Sequence, residues 1–326
     1  LEKQLGSSAR EWISDRLKSI LLWFDSSCYE TDPISPDADR IDWLRCVPYL
    51  AMHVMCLGVI WVGWSWIAAG TAIALYLVRM FFITGFYHRY FSHRTFRTSR
   101  FFQFIMAVSG LSAVQRGPLW WAAHHRHHHA HADQEEDVHS PRIHGFWWSH
   151  TGWFMTRTNY CTRIRYVRDW AKYPELMFLN RFDLIVPAIL ATGLYAFGSF
   201  LDRFYPGLGT SGMQMLIWGF FISTVALYHG TFVINSLAHV FGRRRYQTRD
   251  DSRNNLILTL ITLGEGWHNN HHYSPGSCKQ GFYWWEIDPT YWILKVMASL
   301  HLIHHLNPVP ARAVSPTSRS ARAGKK

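Results

Sequence analysis

The chain predicts an all-α integral membrane protein: four transmembrane helices in two hairpins, with a helical, histidine-rich cap on one side. Three observations carry this reading. The apolar residues lie in four blocks, each near the roughly 20 residues a bilayer-crossing helix needs. The Arg residues fall almost wholly outside those blocks and on one side of them. The histidines, 20 among 326 residues, crowd into the segments between and after the hairpins. Charged residues make up only 17%, against about 25% in an ordinary soluble domain. Disorder, a collagen repeat and a coiled coil are excluded by composition. Mean hydropathy is −0.08, an average that hides how sharply apolar blocks alternate with basic, His-rich stretches.

Residues 1–46 form an N-terminal segment of mixed charge. Ile13, Leu17, Ile20, Leu21 and Phe24 recur at helical spacing, which predicts an amphipathic helix lying on the membrane surface. The membrane domain, 47–306, has spans at about 47–69 and 71–87, then 184–201 and 213–233. The gaps within each pair are short, so each pair reads as a hairpin. The second span carries one charge, Arg79. The cap comprises 88–181 and 239–306. Its apolar stretches 101–114 and 256–263 are short for spans and read as interfacial or buried helices. Residues 307–326, rich in Pro, Ser, Arg and Lys, read as a disordered basic tail suited to an anionic leaflet.

The net charge of +11 raises nucleic acid as a partner, but the basic residues flank membrane spans rather than a soluble fold. The hairpin tips carry almost no charge, whereas the cap is dense in Arg. The positive-inside rule therefore places the cap and both termini in the cytoplasm. The five Cys are scattered, which speaks against a disulfide framework or a thiolate zinc site.

Four His groups stand out: His88 and His93, the run from 124 to 131, His239 with Asn235, and His268, His271 and His272. Residues at i, i+3 and i+4 share one helical face, so such triplets suit a transition metal. Spacing alone leaves several registers open. His124/His127/His128, His125/His128/His129, His268/His271/His272 and His301/His304/His305 all fit. His88 and His93, five apart, lie about 140° apart on a straight α-helix, so they share a metal only if the helix ends between them. Asn235 and His239, four apart, share a face at the end of the fourth span, where polar groups are costly unless functional.

Taken in order, H88-R-Y-F-S-H93, H125-R-H-H128-H129, N235-S-L-A-H239 and G264-E-G-W-H268-N-N-H271-H272 resemble the membrane fatty acyl desaturases. The likeness is greatest to the stearoyl-CoA (Δ9) type and its bacterial relatives, and it covers about 47–306. It selects His125/His128/His129 over the overlapping register and sets the 301 triplet aside.

The resemblance implies a non-heme di-iron centre using O2, held by His88, His93, His125, His128, His129, His239, His268, His271 and His272, with Asn235 reaching one iron through water. No paired Glu-x-x-His helices of the ferritin type are present. Asp133 and Glu265 read as partners that fix His tautomers; Glu136 reads equally well as surface charge.

The expected substrate is a long acyl chain on CoA, with acyl-lipid or acyl carrier protein as other carriers. Tyr76, Met80, Thr84 and His88 are spaced four apart on one stripe of the second span. Met80 falls about 12 Å and Tyr76 about 18 Å from His88, the right range for the methyl end of a chain. Gln115, Trp121 and Thr231 match family positions at the bend of the substrate tunnel. Ala122-Ala123-His124 departs from the charged residues that animal members carry there, at a position near the CoA entrance. No heme-binding HPGG occurs, so electrons are expected from a separate donor such as ferredoxin, rubredoxin or cytochrome b5 with its reductase. The expected location is a bacterial inner membrane, or the endoplasmic reticulum in a eukaryote.

A hydroxylase on the same di-iron scaffold is the enzymatic alternative. A metal transporter is a third reading, but it calls for ligands spread along the spans near the midplane, and here they cluster at one face.

Overall fold

The computed structural model describes residues 14, 16–27 and 40–315. Four helices are long and apolar enough to cross a membrane: Trp43–Val62, Trp66–Ser92, Ile185–Phe204 and Gly212–His239. At 1.5 Å per residue, 20 residues cover about 30 Å, the hydrocarbon thickness. The second and fourth helices have 27 and 28 residues. They overshoot the bilayer by about two turns, and that excess carries His88 and His239 into the cap. These two are also the inner pair, 44% and 50% buried over their apolar windows, against 17% for the first and third.

The first hairpin turns earlier than its hydropathy predicts. The expected break near residue 70 lies within the second helix, and the chain reverses at 63–65. Gly63 adopts φ 68°, a left-handed geometry open to glycine. Ser65 caps the next helix, its Oγ accepting from the Ala68 amide at 3.3 Å. A turn of Gly-Trp-Ser is invisible in an apolar average. Its Trp64 packs edge-on against Trp66 and Trp218, an aromatic group of the kind found at a membrane–water boundary. The second hairpin closes through the turn Pro206–Leu208 and a capping box between Ser211 and Gln214. Gly198 permits the close approach there, since a Cβ would sit 2.6 Å from the Ser211 carbonyl.

The cap is built mainly on Arg100–Leu111, Pro118–His131, Pro174–Arg181, Leu256–Ile261, His268–Tyr273 and Pro289–Ser299. Its core joins Tyr87 and Phe91 of the second span to Met106, Leu111, Leu119, Leu176 and Leu294. A short antiparallel ladder pairs Arg97–Thr98 with Ile303–His304. The two short apolar stretches form helices Arg100–Leu111 and Leu256–Ile261 that leave Phe101, Ile257 and Leu260 exposed. The N-terminal helix at 16–21 likewise exposes Leu17 and Leu21, with Phe24 beyond it; Ile13 lies outside the described residues. Outward apolar faces at these positions fit helices resting in the interface.

The expected tail begins later than residue 307. Asn307 is tied to Thr95 and Cys278 through its backbone, and Tyr246 donates to the Ala313 carbonyl at 2.6 Å. A buried alanine, Ala313, and the aromatic ring of Tyr246 anchor a stretch whose composition looks unstructured. Residues 316–326 lie outside the described residues.

Candidate metal centre

The nine histidines picked from the sequence fall into two groups. His88, His93, His125, His129 and His271 form one; His128, His239, His268 and His272 form the other. Within each group the candidate ligand atoms lie within 4.8 Å of one another. Each triplet is therefore divided. His125 and His129, four apart, face the first group, while His128 turns toward the second. In the last triplet His271 goes to the first group and His268 and His272, four apart, to the second. This differs from three imidazoles converging on one ion. The i,i+4 pair shares a face and the third residue is rotated off it.

The helix ends at Ser92, between His88 and His93, as their sharing a metal requires, and the form of its last turns adds to the pairing. The segment Phe82–Ser92 is π-helical, and the His93 amide donates to the His88 carbonyl at 3.2 Å. An i→i+5 ladder stacks residues five apart. The two rings accordingly meet at 4.9 Å between centroids.

Nitrogen-to-nitrogen distances support a metal. Nε2 of His88 lies 3.1 Å from Nε2 of His271, that of His93 2.7 Å from His125, and that of His271 2.8 Å from His129. In the second group Nε2 of His239 lies 3.0 Å from His268, and Nε2 of His272 is buried without a hydrogen-bond partner. For the rings whose Nδ1 meets a carboxylate, Nε2 is the lone-pair atom. Lone pairs aimed at a common point this closely fit a cation between them.

The carboxylates are where a ligand shell needs them. Nδ1 of His88 is 2.6 Å from Glu265, and Nδ1 of His239 is 2.9 Å from Asp133, so both expected partners touch a histidine. Two more were missed: Asp137 lies 2.9 Å from Nδ1 of His128, and Asp250 2.9 Å from Nδ1 of His272. Gln280 was missed as well; its side-chain amide lies 3.4 and 3.5 Å from Nδ1 of His88 and His271. Asp137 stands just beyond the second His box, a position that offered a weak signal; Asp250 and Gln280 offered none. Glu136 is exposed, 3.9 Å from His131. Arg89, fully buried, bridges Glu265 and Asp288 at 3.1 and 2.8 Å and offsets one of their two charges.

Burial holds His93, His125, His129, His268 and His271 well below the usual imidazole range, and neighbouring imidazoles add to this. His272 is pushed down to about 4, again mainly by burial. Burial also depresses His128, but the charge and hydrogen bond of Asp137 together with the charges of Asp133 and Asp250 outweigh it and leave His128 raised. Burial raises Asp133, Asp137 and Asp250, yet their histidine partners reverse this and hold them low. Most of the set is thus kept neutral, the form in which imidazole binds a metal.

Other histidines stay outside. His124 faces the Cys161 carbonyl at 3.3 Å, and His127 packs tilted against His131 and edge-on against Tyr166. His301, His304 and His305 are exposed beside the short ladder. Among the described residues none of these belongs to a metal-competent group.

Two cavities meet at the histidines. The larger, about 420 Å³, is lined among others by Arg45, Tyr49, Gln115, Trp121, His125, Thr231 and Asn235. The smaller, about 40 Å³, is lined by Met80, Thr84, His88, Trp121, His125, His128, Thr231 and Asn235. Trp121, His125, Thr231 and Asn235 line both, and Gln115 donates to Thr231 at 2.9 Å beside the junction. Tyr76 lines neither. Its hydroxyl donates to the Ile261 carbonyl at 2.8 Å, and with Met80 it packs against Gly230, so it stands behind the small cavity.

Residues 64–307 match the model of the fatty acid desaturase family. The chain belongs to that family. Among similar proteins, an sn-1 stearoyl-lipid 9-desaturase of Anabaena variabilis is 33% identical over 81% of this chain and 93% of its own length. An sn-2 palmitoyl-lipid 9-desaturase of Nostoc is 34% identical over 83% and 92%. An acyl-CoA 5-desaturase of Anemone leveillei is 33% identical over 83% and 84%. This desaturase therefore resembles enzymes of both carrier types and of different double-bond positions.

Proposed function

We propose that this desaturase introduces a cis double bond, at Δ9, into a long-chain acyl group, with two irons held by the nine histidines and Asn235 lining the path beside them. The observation that carries this is the bent channel whose two arms share Trp121, His125, Thr231 and Asn235. Two irons there supply the O2-dependent oxidation that takes two hydrogens from an unactivated methylene pair. The protein's own part is placement. Trp121 stacks on His125 at 5.2 Å between centroids and forms an apolar wall for the chain. The Gln115–Thr231 bond fixes the bend, and Met80 and Thr84 line the arm for the methyl end. Asp133, Asp137, Asp250 and Glu265 orient four of the imidazoles. Electrons come from a separate donor protein, to which the basic cap, facing the cytoplasm with both termini, offers an attractive surface. The relatives name both lipid-bound and CoA-bound substrates, so a glycerolipid stands beside the thioester expected from the sequence.

Expression in a host that makes no unsaturated fatty acids, followed by mass spectrometry of its lipids, tests this. New O2-dependent double bonds are expected; hydroxylated chains would instead make the protein a hydroxylase. His272→Ala is expected to abolish the product and His301→Ala to retain it. A folded but inactive His301→Ala would overturn the choice among triplets.

A further inference from the structure

We infer that the larger cavity is a two-armed site for a diacyl glycerolipid, reached sideways from the bilayer between the first and third membrane helices. This rests on the desaturase reading above and specifies its substrate class.

The shape of the cavity is the first argument. One end lies at Gln115, Trp121, His125 and Asn235, beside the histidines. The other end runs among the spans to Met52, Ala191 and Phe220. Phe220 precedes Asn235 by 15 residues on the fourth helix, so this lower arm reaches on the order of 20 Å into the bilayer. It leads away from the histidines and from the small cavity at Met80. A single acyl chain running from the mouth through the bend to Met80 leaves the lower arm unused; a second chain on the same glycerol fills it.

The wall is the second argument. Between the first and third helices the cavity is bounded by Pro48, Leu184, Pro187 and Ala188. Ala188 is exposed and Pro48 half-buried. Both helices turn large apolar side chains outward around this seam, including Val47, Leu50 and Ile189. The opening therefore faces hydrocarbon, where a membrane lipid already resides.

The mouth is the third argument. The Tyr160 ring is held between two guanidinium groups, with Arg45 4.0 Å and Arg116 3.6 Å from its centroid. The cations at this rim are engaged. Arg45 donates to the Thr156 carbonyl at 2.7 Å. Arg116 pairs with Asp183 at 2.8 Å. With both guanidiniums already engaged by Tyr160, Asp183 and the Thr156 carbonyl, the rim suits a lipid head group of low net charge better than the several phosphates of CoA. Trp23, on the segment whose Leu21 and Phe24 face outward, completes the mouth at the level of the membrane surface.

The test uses the full chain, iron-loaded, in nanodiscs with a reductant system. Dipalmitoyl phosphatidylglycerol in the disc and added palmitoyl-CoA are offered in parallel. Wild type is expected to desaturate the lipid, and Ala191→Trp, which fills the lower arm, is expected to lower the ratio of lipid to thioester turnover at least tenfold. Conversion of the CoA ester alone, or an unchanged ratio in Ala191→Trp, would overturn the inference while leaving the desaturase reading intact. Conversion of neither substrate would count against that reading itself. Should Ala191→Trp fail to fold, a second measurement decides. Wild type is photolabelled with phosphatidylglycerol carrying a diazirine on the non-reacting chain. Label on Met52 or Phe220 supports the site; label confined to the outward-facing Val54 and Ile189 overturns it.

Discussion

Nδ1 of His272 and the Asp250 carboxylate are 2.9 Å apart, and contacts of this kind decide whether nine soft, mobile rings can act as a rigid shell. An imidazole binding through Nε2 needs an acceptor at Nδ1 to fix its tautomer and its plane, and outer partners of this sort typically govern 10–100-fold in metal affinity or activity. Asp250→Asn and Asp137→Asn are each expected to lower retained iron and turnover by about that range without unfolding the protein, as read by metal analysis and circular dichroism. Full iron retention in both would show that the rings are held by packing alone. The ligand types were legible in the sequence, because His at i, i+3 and i+4 is a local pattern. Asp250 was not, because it stands 22 positions before His272 in the chain, and no spacing rule covers a tertiary contact. Asp133 and Glu265 were found because they stand beside the boxes.

At the level of elements, the sequence showed which segments are helical more surely than what kind of helix they are. The stripe Tyr76, Met80, Thr84 and His88 assumed one α-helix, but from Phe82 onward the ladder is π-helical. That change rotates His93 beneath His88, and hydropathy has no means of reporting it. Met80 and Thr84 line the small cavity, while Tyr76, one turn earlier in the α-helical part, stands behind it. Gly230 makes the closure tight, since a Cβ there would meet the Tyr76 hydroxyl at 2.6 Å and the Met80 methyl at 3.0 Å. Met80→Ala is therefore expected to shift the accepted chain length upward by about two carbons, since the removed atoms span roughly that length. Tyr76→Ala is expected to act in the same direction. Gas chromatography of the products checks both, and unchanged chain-length profiles in both variants would remove this end wall from the account. The hairpin boundaries taught a similar lesson. The first turn, at Gly63 to Ser65, lies inside a continuous apolar run, so only its backbone chemistry marks it.

Across the whole molecule, buried histidines make stability depend on pH. His272 is ordinarily near 6.5 and is held down to about 4 in the fold. An unfolded chain takes up that proton at about 6.5, whereas the folded chain resists until about 4. The stabilisation is complete above pH 6.5 and is lost as pH falls through that window. The slope is about 1.4 kcal/mol per pH unit for each such residue. The metal-free protein is thus expected to melt at progressively lower temperature between pH 7 and pH 5, by differential scanning fluorimetry, and the metal-loaded protein to shed its ions over the same interval. A flat profile would mean that water reaches the rings.

Splitting each triplet between two groups has a consequence for how the centre fills. The helices Pro118–His131 and His268–Tyr273 each donate to both groups, so an ion bound in one fixes the backbone that presents ligands to the other. The ordering cost is met once, by the first arrival, and the second ion binds more tightly. Native mass spectrometry of a metal titration is expected to find chains carrying none or two, with the singly loaded species scarce at half saturation. A statistical mixture would mean that the two sites are preformed and independent. At limiting metal the population would then divide into complete enzyme and empty protein, and total activity would follow the number of finished centres, with few half-built ones among them.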